Sequence, residues 1–245
     1  MLEVEGISSG YGQIGIVRNC SFNVSRGEIV AILGHNGMGK TTLLRTIMGH
    51  LPTKQGRIRY DGEEITALAV HQRARRGLSI VPQGREIFPG LTVRDNIRMG
   101  LFKRKAHENE TIEGLVNQMP RLRPLLDRVG GTLSGGEQQL LAVARCLATA
   151  PKLILLDEPT EGIQPSIKDE LAEIFLGIRN RRTITVLLVE QNLDFVNALA
   201  DRVLLIQKGH ITQELDRVAL NSADLISEFL GFGKAKSEAD GLRGS

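Results

Sequence analysis

Ile29-Val30-Ala31-Ile32-Leu33-Gly34-His35-Asn36-Gly37-Met38-Gly39-Lys40-Thr41-Thr42 is the stretch that decides the fold. Its first five residues form a continuous apolar run, the pattern of a strand covered on both faces. The run feeds directly into G-x-x-x-x-G-K-[ST]. Thr42 to Met48 then reads as a helix, stopped by Gly49 and Pro52. The glycines let backbone N–H groups turn inward around a phosphate chain, and the following helix directs its N-terminus at the same anion. Lys40 is expected to reach the β- and γ-phosphates, and the Thr41 hydroxyl to bind Mg²⁺. Gly34, His35, Asn36, Gly37, Met38, Gly39 and Thr42 complete the expected ATP-binding loop. His35 occupies a variable position of the motif and is given no catalytic role.

Strand signals flank this loop on both sides. Leu2, Val4 and Ile7 with Phe22 and Val24 suggest opening strands, partly of period two. Ile58 and Tyr60 suggest another, closed by a turn at Asp61-Gly62. Leu78 to Val81 is a short apolar strand stopped by Pro82. From about Glu86 to Ala150 helical spacing takes over, which predicts a helical subdomain. Pro151 ends its last helix. Leu153–Leu156 reads as a buried strand, Ile167–Ile178 as a helix, Thr185–Val189 as a strand and Leu193–Ala200 as a helix. Val203–Ile206 and His210–Glu214 read as a final hairpin around Gly209. Such alternation predicts a mainly parallel sheet with helices on both faces. The end, 234–245, is small and polar and is expected to be disordered.

The chain has 245 residues, 41% of them apolar and 24% charged, enough for one large domain or a domain with a subdomain. Aromatics are only 4% and tryptophan is absent, which argues against a base-stacking platform, so no nucleic-acid partner is expected. The net charge is +3. The basic clusters at Arg73, Arg75 and Arg76, at Lys103, Arg104 and Lys105, and at Arg121 and Arg123 read as solvated faces. Contact with anionic headgroups or an acidic partner is the other reading of these clusters. Cys20 and Cys146 match no metal spacing and suit a reducing compartment as small buried hydrophobes. The histidines form no ligand pattern. Glu3 and Glu5 interrupt any signal-peptide core. Runs such as Leu153–Leu156 and Val186–Val189 are too short to span a bilayer. If the protein acts at a membrane, another chain is expected to cross it.

Two further motifs bear on chemistry. Asp157 and Glu158 end a buried strand, where ligands of open parallel sheets bind. Asp157 is suited to hold Mg²⁺, and Glu158 to polarise the water that attacks a γ-phosphate. Leu133-Ser134-Gly135-Gly136-Glu137-Gln138 is a glycine turn opening a helix, a second anion-binding helix start.

That last motif closely resembles the signature sequence of ABC-type ATPases, and the three motifs stand in the order of that family. The resemblance covers the chain to about Gly233. It implies an α/β P-loop NTPase fold with a parallel-sheet core, an antiparallel β subdomain and an inserted α-helical subdomain. One ATPase domain would span 1–233, with its core at 1–85 and 151–233 and the helical signature subdomain at 86–150. Further positions carry over. Tyr11 resembles the aromatic that stacks on adenine. Gln83 resembles the glutamine that contacts Mg²⁺ and water and senses the transmembrane partner. Leu133 to Gln138 would meet the ATP of an opposite subunit, through Ser134 and Gly136. The implied assembly is a head-to-tail dimer, homomeric or with a second ATPase subunit. It would serve transmembrane permease subunits and, indirectly, a periplasmic solute-binding protein, at the cytoplasmic face of the membrane.

The chain departs from the common family pattern at two positions. Val189-Glu190-Gln191-Asn192 has Gln191 where most members have a switch histidine. Gln191 can hydrogen-bond a γ-phosphate but carries no proton charge. Gln164 stands where most members have an aspartate. Both leave binding intact and put hydrolysis rate and subunit cross-talk in question. "VEQN" and Val81-Pro82-Gln83-Gly84-Arg85-Glu86-Ile87-Phe88-Pro89 resemble one ATPase subunit of importers for branched-chain amino acids and related amides. Thr160-Glu161-Gly162-Ile163-Gln164-Pro165-Ser166-Ile167 resembles the urea and short-amide branch more. The expected function is an ATP-hydrolysing importer subunit. A soluble ABC-type ATPase, a regulator without turnover and an exporter module are the alternatives.

Overall fold

All five residues of Ile29–Leu33 are buried, and they form β3. The computed structural model describes residues 1–101 and 107–217. β3 lies within a six-stranded sheet of order β10-β9-β3-β8-β7-β6. Its companions are β6 (Leu78–Val81), β7 (Leu153–Asp157), β8 (Thr185–Glu190), β9 (Arg202–Gln207) and β10 (His210–Asp216). β3 pairs in parallel with β8 and β9, and β7 in parallel with β6 and β8. Among the described strands of this sheet, β10, at one edge, is the one that runs antiparallel, against β9. The expected final hairpin is this pair.

Period-two geometry sends alternate residues of each strand into different layers. Ile29, Ala31 and Leu33 face one core cluster, together with Ile154, Leu156, Val186 and Leu188. α3 (Val93–Gly100), α5 (Gly135–Ala148), α6 (Pro165–Arg181) and α7 (Leu193–Leu199) cover that side. Val30 and Ile32 face the other cluster, with Leu153, Leu155, Leu187 and Val189. There α1 (Lys40–Met48) contributes Leu43, Leu44 and Ile47. A four-stranded antiparallel sheet of order β2-β1-β4-β5 closes this side, built from β1 (Leu2–Tyr11), β2 (Ile14–Val24), β4 (Gln55–Tyr60) and β5 (Glu63–Glu64). The turn at Asp61-Gly62 joins β4 to β5, both residues at positive φ, 49° and 83°.

Among the described residues, the segment between β6 and β7 carries helices and no strand, as its spacing predicts. It holds α3, α4 (Glu108–Gln118) and α5, with 3₁₀ turns at Pro120–Leu125 and Gly130–Thr132. α6 buries Ile167, Leu171, Ile174, Phe175 and Ile178, a stripe at helical spacing. Cys20 and Cys146 are both buried.

The reading of the 73–76 basic cluster as a solvated face needs correction. Val70–Arg75 forms a helix, α2, that periodicity did not announce, and its one buried residue is Arg73. The Arg73 guanidinium donates to the carbonyls of Thr46 and Ile47 at the end of α1, at 2.9 and 2.7 Å, and to those of Leu68 and Thr66 at 2.9 and 2.8 Å. A planar fork of donors thus ties the last turn of α1 to the loop at 66–68. Arg76, Arg121 and Arg123 do sit at the surface, paired with Glu63, Glu170 and Glu113. The cluster at 103–105, the segment 218–233 and the expected disordered tail lie outside the described residues.

Candidate functional site

Four adjacent parallel strands, β3, β8, β7 and β6, end on one side of the sheet. The phosphate loop leaves β3, Gln191 follows β8, Asp157 closes β7 with Glu158 next, and Gln83 follows β6. Register fixes the alignment, with Leu33 opposite Glu190 and Asp157 opposite Val189. Residues far apart in sequence thus meet at the carboxyl edge, where open α/β sheets bind ligands.

Lys40 is the first residue of α1, and its helix is capped by Gly39 at φ 99°. The left-handed conformation calls for glycine there, and a Cβ would also sit a tight 3.3 Å from the Ile16 side chain. The loop is anchored on its other side, where the Gly209 amide donates to the Met38 carbonyl at 3.1 Å. Lys40 Nζ donates to the carbonyls of Gly34 and His35 at 2.8 and 3.1 Å. It also pairs with Glu158 Oε1 at 2.9 Å, both side chains being almost fully buried.

Glu158 is the hub of the site. Gln191 Nε2 donates to its Oε1 at 3.1 Å, and Gln83 Nε2 to its Oε2 at 3.3 Å. Its backbone lies in the left-handed region at φ 47°, a conformation costing about 1–2 kcal/mol for a side-chain-bearing residue. Such strain, held by surrounding structure, is a pointer to function. Asp157 lies beside it and accepts from the Thr41 hydroxyl at 2.9 Å. Burial raises the Asp157 pKa, the Thr41 bond lowers it in part, and neighbouring Glu158 adds to the rise. A desolvated carboxylate touching a hydroxyl is a donor pair suited to a hard divalent cation.

Sequence reasoning placed Asn36 in the ATP-binding loop without its bond to Gln191, and missed Glu161 and Glu190. Asn36 Oδ1 accepts from Gln191 Nε2 at 2.7 Å, tying the loop to the segment after β8. Glu161 Oε2 accepts from Gln83 Nε2 at 2.7 Å. Glu190 is 3% exposed and is bonded to Thr160 and to two backbone amides. A charged residue ending an otherwise apolar strand is the one signal that marks Glu190.

The signature residues stand apart from this cluster. Ser134 caps α5 in a capping box with Glu137, and the Ser134 bonds hold the Glu137 carboxyl below its usual range. The bonds of Gln138 run to Arg85, Gly130 and Leu133. Leu133 is buried, whereas Ser134 is exposed. Gly136 packs on α6 so closely that a Cβ would lie 2.7 Å from Ile167. Tyr11 ends β1 and is 46% exposed.

The profile of the family described as ABC transporter matches residues 17–161 of this chain. The chain belongs to the ABC transporter family. It is an ATP-binding and ATP-hydrolysing subunit of that family. It is 40% identical over 221 residues to the high-affinity branched-chain amino acid transport ATP-binding protein BraG of Pseudomonas aeruginosa, over 90% of this chain and 94% of that one. Identity to BraF of the same organism, which carries the same description, is 30%, over 94% and 98%. The lipopolysaccharide export system ATP-binding protein LptB of Escherichia coli is 35% identical, over 86% and 88%. Among solved structures, MJ1267, an ATP-binding cassette of an ABC transporter, superposes with a TM-score of 0.80 at 27% identity, over 93% and 97%. The post-hydrolysis cassette MJ0796 bound to ADP and Pi reaches 0.81 at 22%, over 89% and 99%, a likeness of fold.

Proposed function

We propose that this chain powers an importer of branched-chain amino acids or of urea and short amides, by hydrolysing Mg·ATP at the carboxyl edge of its parallel sheet. The observation that carries the chemical part is the hub at Glu158, where Lys40, Gln83 and Gln191 all meet one carboxylate. In this arrangement Lys40 is neutralised by Glu158. An arriving nucleotide offers stronger anions, so Lys40 exchanges Glu158 for the β- and γ-phosphates. Glu158, freed of its cation, is then the base that takes a proton from the attacking water. Gln83 and Gln191 orient that water and hold Glu158 in place. Thr41 and Asp157 would hold Mg²⁺, with Gln83 at its margin. When bound, the ion supplies positive charge to the phosphate oxygens.

The rest of the reading extends the site beyond one chain. Tyr11 is exposed and available to stack on adenine. Ser134 is exposed at the start of a fourteen-residue helix, suited to a γ-phosphate held by another subunit. Leu133, Gly135, Gly136, Glu137 and Gln138 shape that helix start. The division into a core at 1–85 and 151–233 and a helical subdomain at 86–150 belongs to the same proposal. Similarity to both BraF and BraG, greater for BraG, supports one of two non-identical ATPase subunits. No helix among the described residues is long and apolar enough to cross a membrane. Permease partners would cross it, with this chain peripheral on the cytoplasmic face and a periplasmic binding protein delivering solute.

Uptake of labelled leucine and labelled urea by cells carrying the transporter, with the parent chain or with Lys40→Ala, tests this reading. Loss of uptake of one solute in the variant names the cargo class. Unchanged uptake of both, with an active parent ATPase, overturns the importer reading.

A further inference from the structure

We infer that Glu190 is a positioning residue that locks the segment after β8 to the loop after β7, and so sets the geometry of Gln191 and Glu161 around Glu158. Its carboxylate divides its two oxygens between the two segments. Oε1 accepts from the Thr160 amide at 2.9 Å and from the Thr160 hydroxyl at 2.6 Å. Oε2 accepts from the Gln191 amide at 2.7 Å and the Asn192 amide at 3.0 Å. All four acceptor positions of a carboxylate are thereby filled, by donors from Thr160, thirty residues before Glu190, and from the two residues that follow it. Bonds to an ionised acceptor are roughly twice as strong as neutral ones.

The clamp sits one residue from a functional side chain on each side. Gln191 follows Glu190 directly and reaches both Asn36 and Glu158. Glu161 follows Thr160 and accepts from Gln83. A continuous circuit therefore runs from Gln83 through Glu161 and the Thr160 backbone to Glu190, then through Gln191 back to Glu158. Glu190 touches neither the phosphate loop nor Glu158 by these bonds. It acts through Gln191 and Glu161 on hydrolysis, with no direct hold on the nucleotide. The four donors are all N–H or O–H groups. An amide at this position would turn its own NH₂ group towards one pair of them, so Gln cannot substitute for Glu.

The inference rests on Glu158 as the hydrolytic base, and the test separates the two. The full chain is prepared as Glu190→Gln, Thr160→Val, Gln191→Ala and the double variant Glu190→Gln/Gln191→Ala, with Glu158→Gln alongside. ATP affinity is measured by nucleotide titration and turnover by phosphate release. Glu190→Gln is expected to lower kcat at least tenfold while ATP Kd changes less than threefold. Thr160→Val, which removes a single bond of the clamp, is expected to move kcat in the same direction by a smaller factor, and it keeps the test open if Glu190→Gln fails to fold. The double variant is expected to fall no further than Glu190→Gln alone, because that substitution already disturbs Gln191 along with Glu161. Parental kcat in Glu190→Gln, parental kcat in Thr160→Val, or fully multiplicative losses in the double variant would each overturn the inference. Undiminished turnover in Glu158→Gln would instead refute the base assignment.

Discussion

Lys40→Met breaks the most buried ion pair of the site, and its cost can be worked from the structure. Lys40 and Glu158 are 2.9 Å apart with side chains 3% and 5% exposed, so solvent screens the pair little. Removing one partner of a buried pair costs about 3–5 kcal/mol, because the other charge is left uncompensated. Here Glu158 keeps two donors, Gln191 at 3.1 Å and Gln83 at 3.3 Å. The loss therefore belongs at the lower end, about 3 kcal/mol. Glu158→Gln alone leaves Lys40 its bonds to the Gly34 and His35 carbonyls and keeps an acceptor oxygen, so its cost is smaller. The double variant Lys40→Met/Glu158→Gln removes both charges. It should be more stable than the sum of the singles by about 1–3 kcal/mol of coupling. Urea unfolding of the nucleotide-free chains reads this as a shift of midpoint at constant slope. Additivity of the single losses to within about 0.5 kcal/mol would refute a coupled buried pair.

Two other perturbations probe the same edge of the sheet. Burial raises the Asp157 pKa above its ordinary 3.8, so the native state binds this proton more tightly than the unfolded chain. Stability from this group therefore falls as pH rises from the unfolded value through the raised native one. Without Mg²⁺, Asp157→Asn should melt above the parent at about pH 7, lose that advantage below about pH 4, and gain less than the parent from added Mg·ATP; equal melting at neutral pH would show that the charge carries no penalty. At position 191 sequence alone leaves the sign open, since a histidine could restore a weakened switch. The Gln191 carboxamide donates to Asn36 and Glu158 at once, whereas each imidazole nitrogen carries at most one hydrogen. Gln191→His is accordingly predicted to lower kcat, and an increase in phosphate release would mean that the double donation is not used.

The parts of the fold legible in the sequence are those with strong local signals. Ile29–Leu33 and Leu153–Leu156 are apolar runs because both faces of each strand are covered, and the glycine motif sits where the first run ends. The α6 stripe from Ile167 to Ile178 reads at helical spacing. α2 was not legible, since a six-residue helix whose single buried residue is an arginine has no apolar period. Arg73 itself looks like surface charge until the last turn of α1 presents its carbonyls. The Asn36–Gln191 bond and the roles of Glu161 and Glu190 were illegible for a different reason. Their partners lie just after strands that become neighbours only through the sheet order β3-β8-β7-β6. Local pattern carries no record of which loops that order brings together. Lys40, Asp157 and Glu158 are expected from motifs and Gln83 and Gln191 from the family resemblance, and the fold gathers all five at one edge, while the signature residues make their bonds apart from them.

Single-turnover cleavage of γ-labelled ATP by the Glu158→Gln chain, with ATP Kd measured on the same preparation, tests the central claim most directly. Loss of a general base should slow cleavage by about 10²–10⁴-fold. Affinity should hold or improve, because the variant no longer competes with phosphate for Lys40. Cleavage at the parental rate, or affinity weakened as much as cleavage, would contradict the assignment of Glu158 as the base that Lys40 releases.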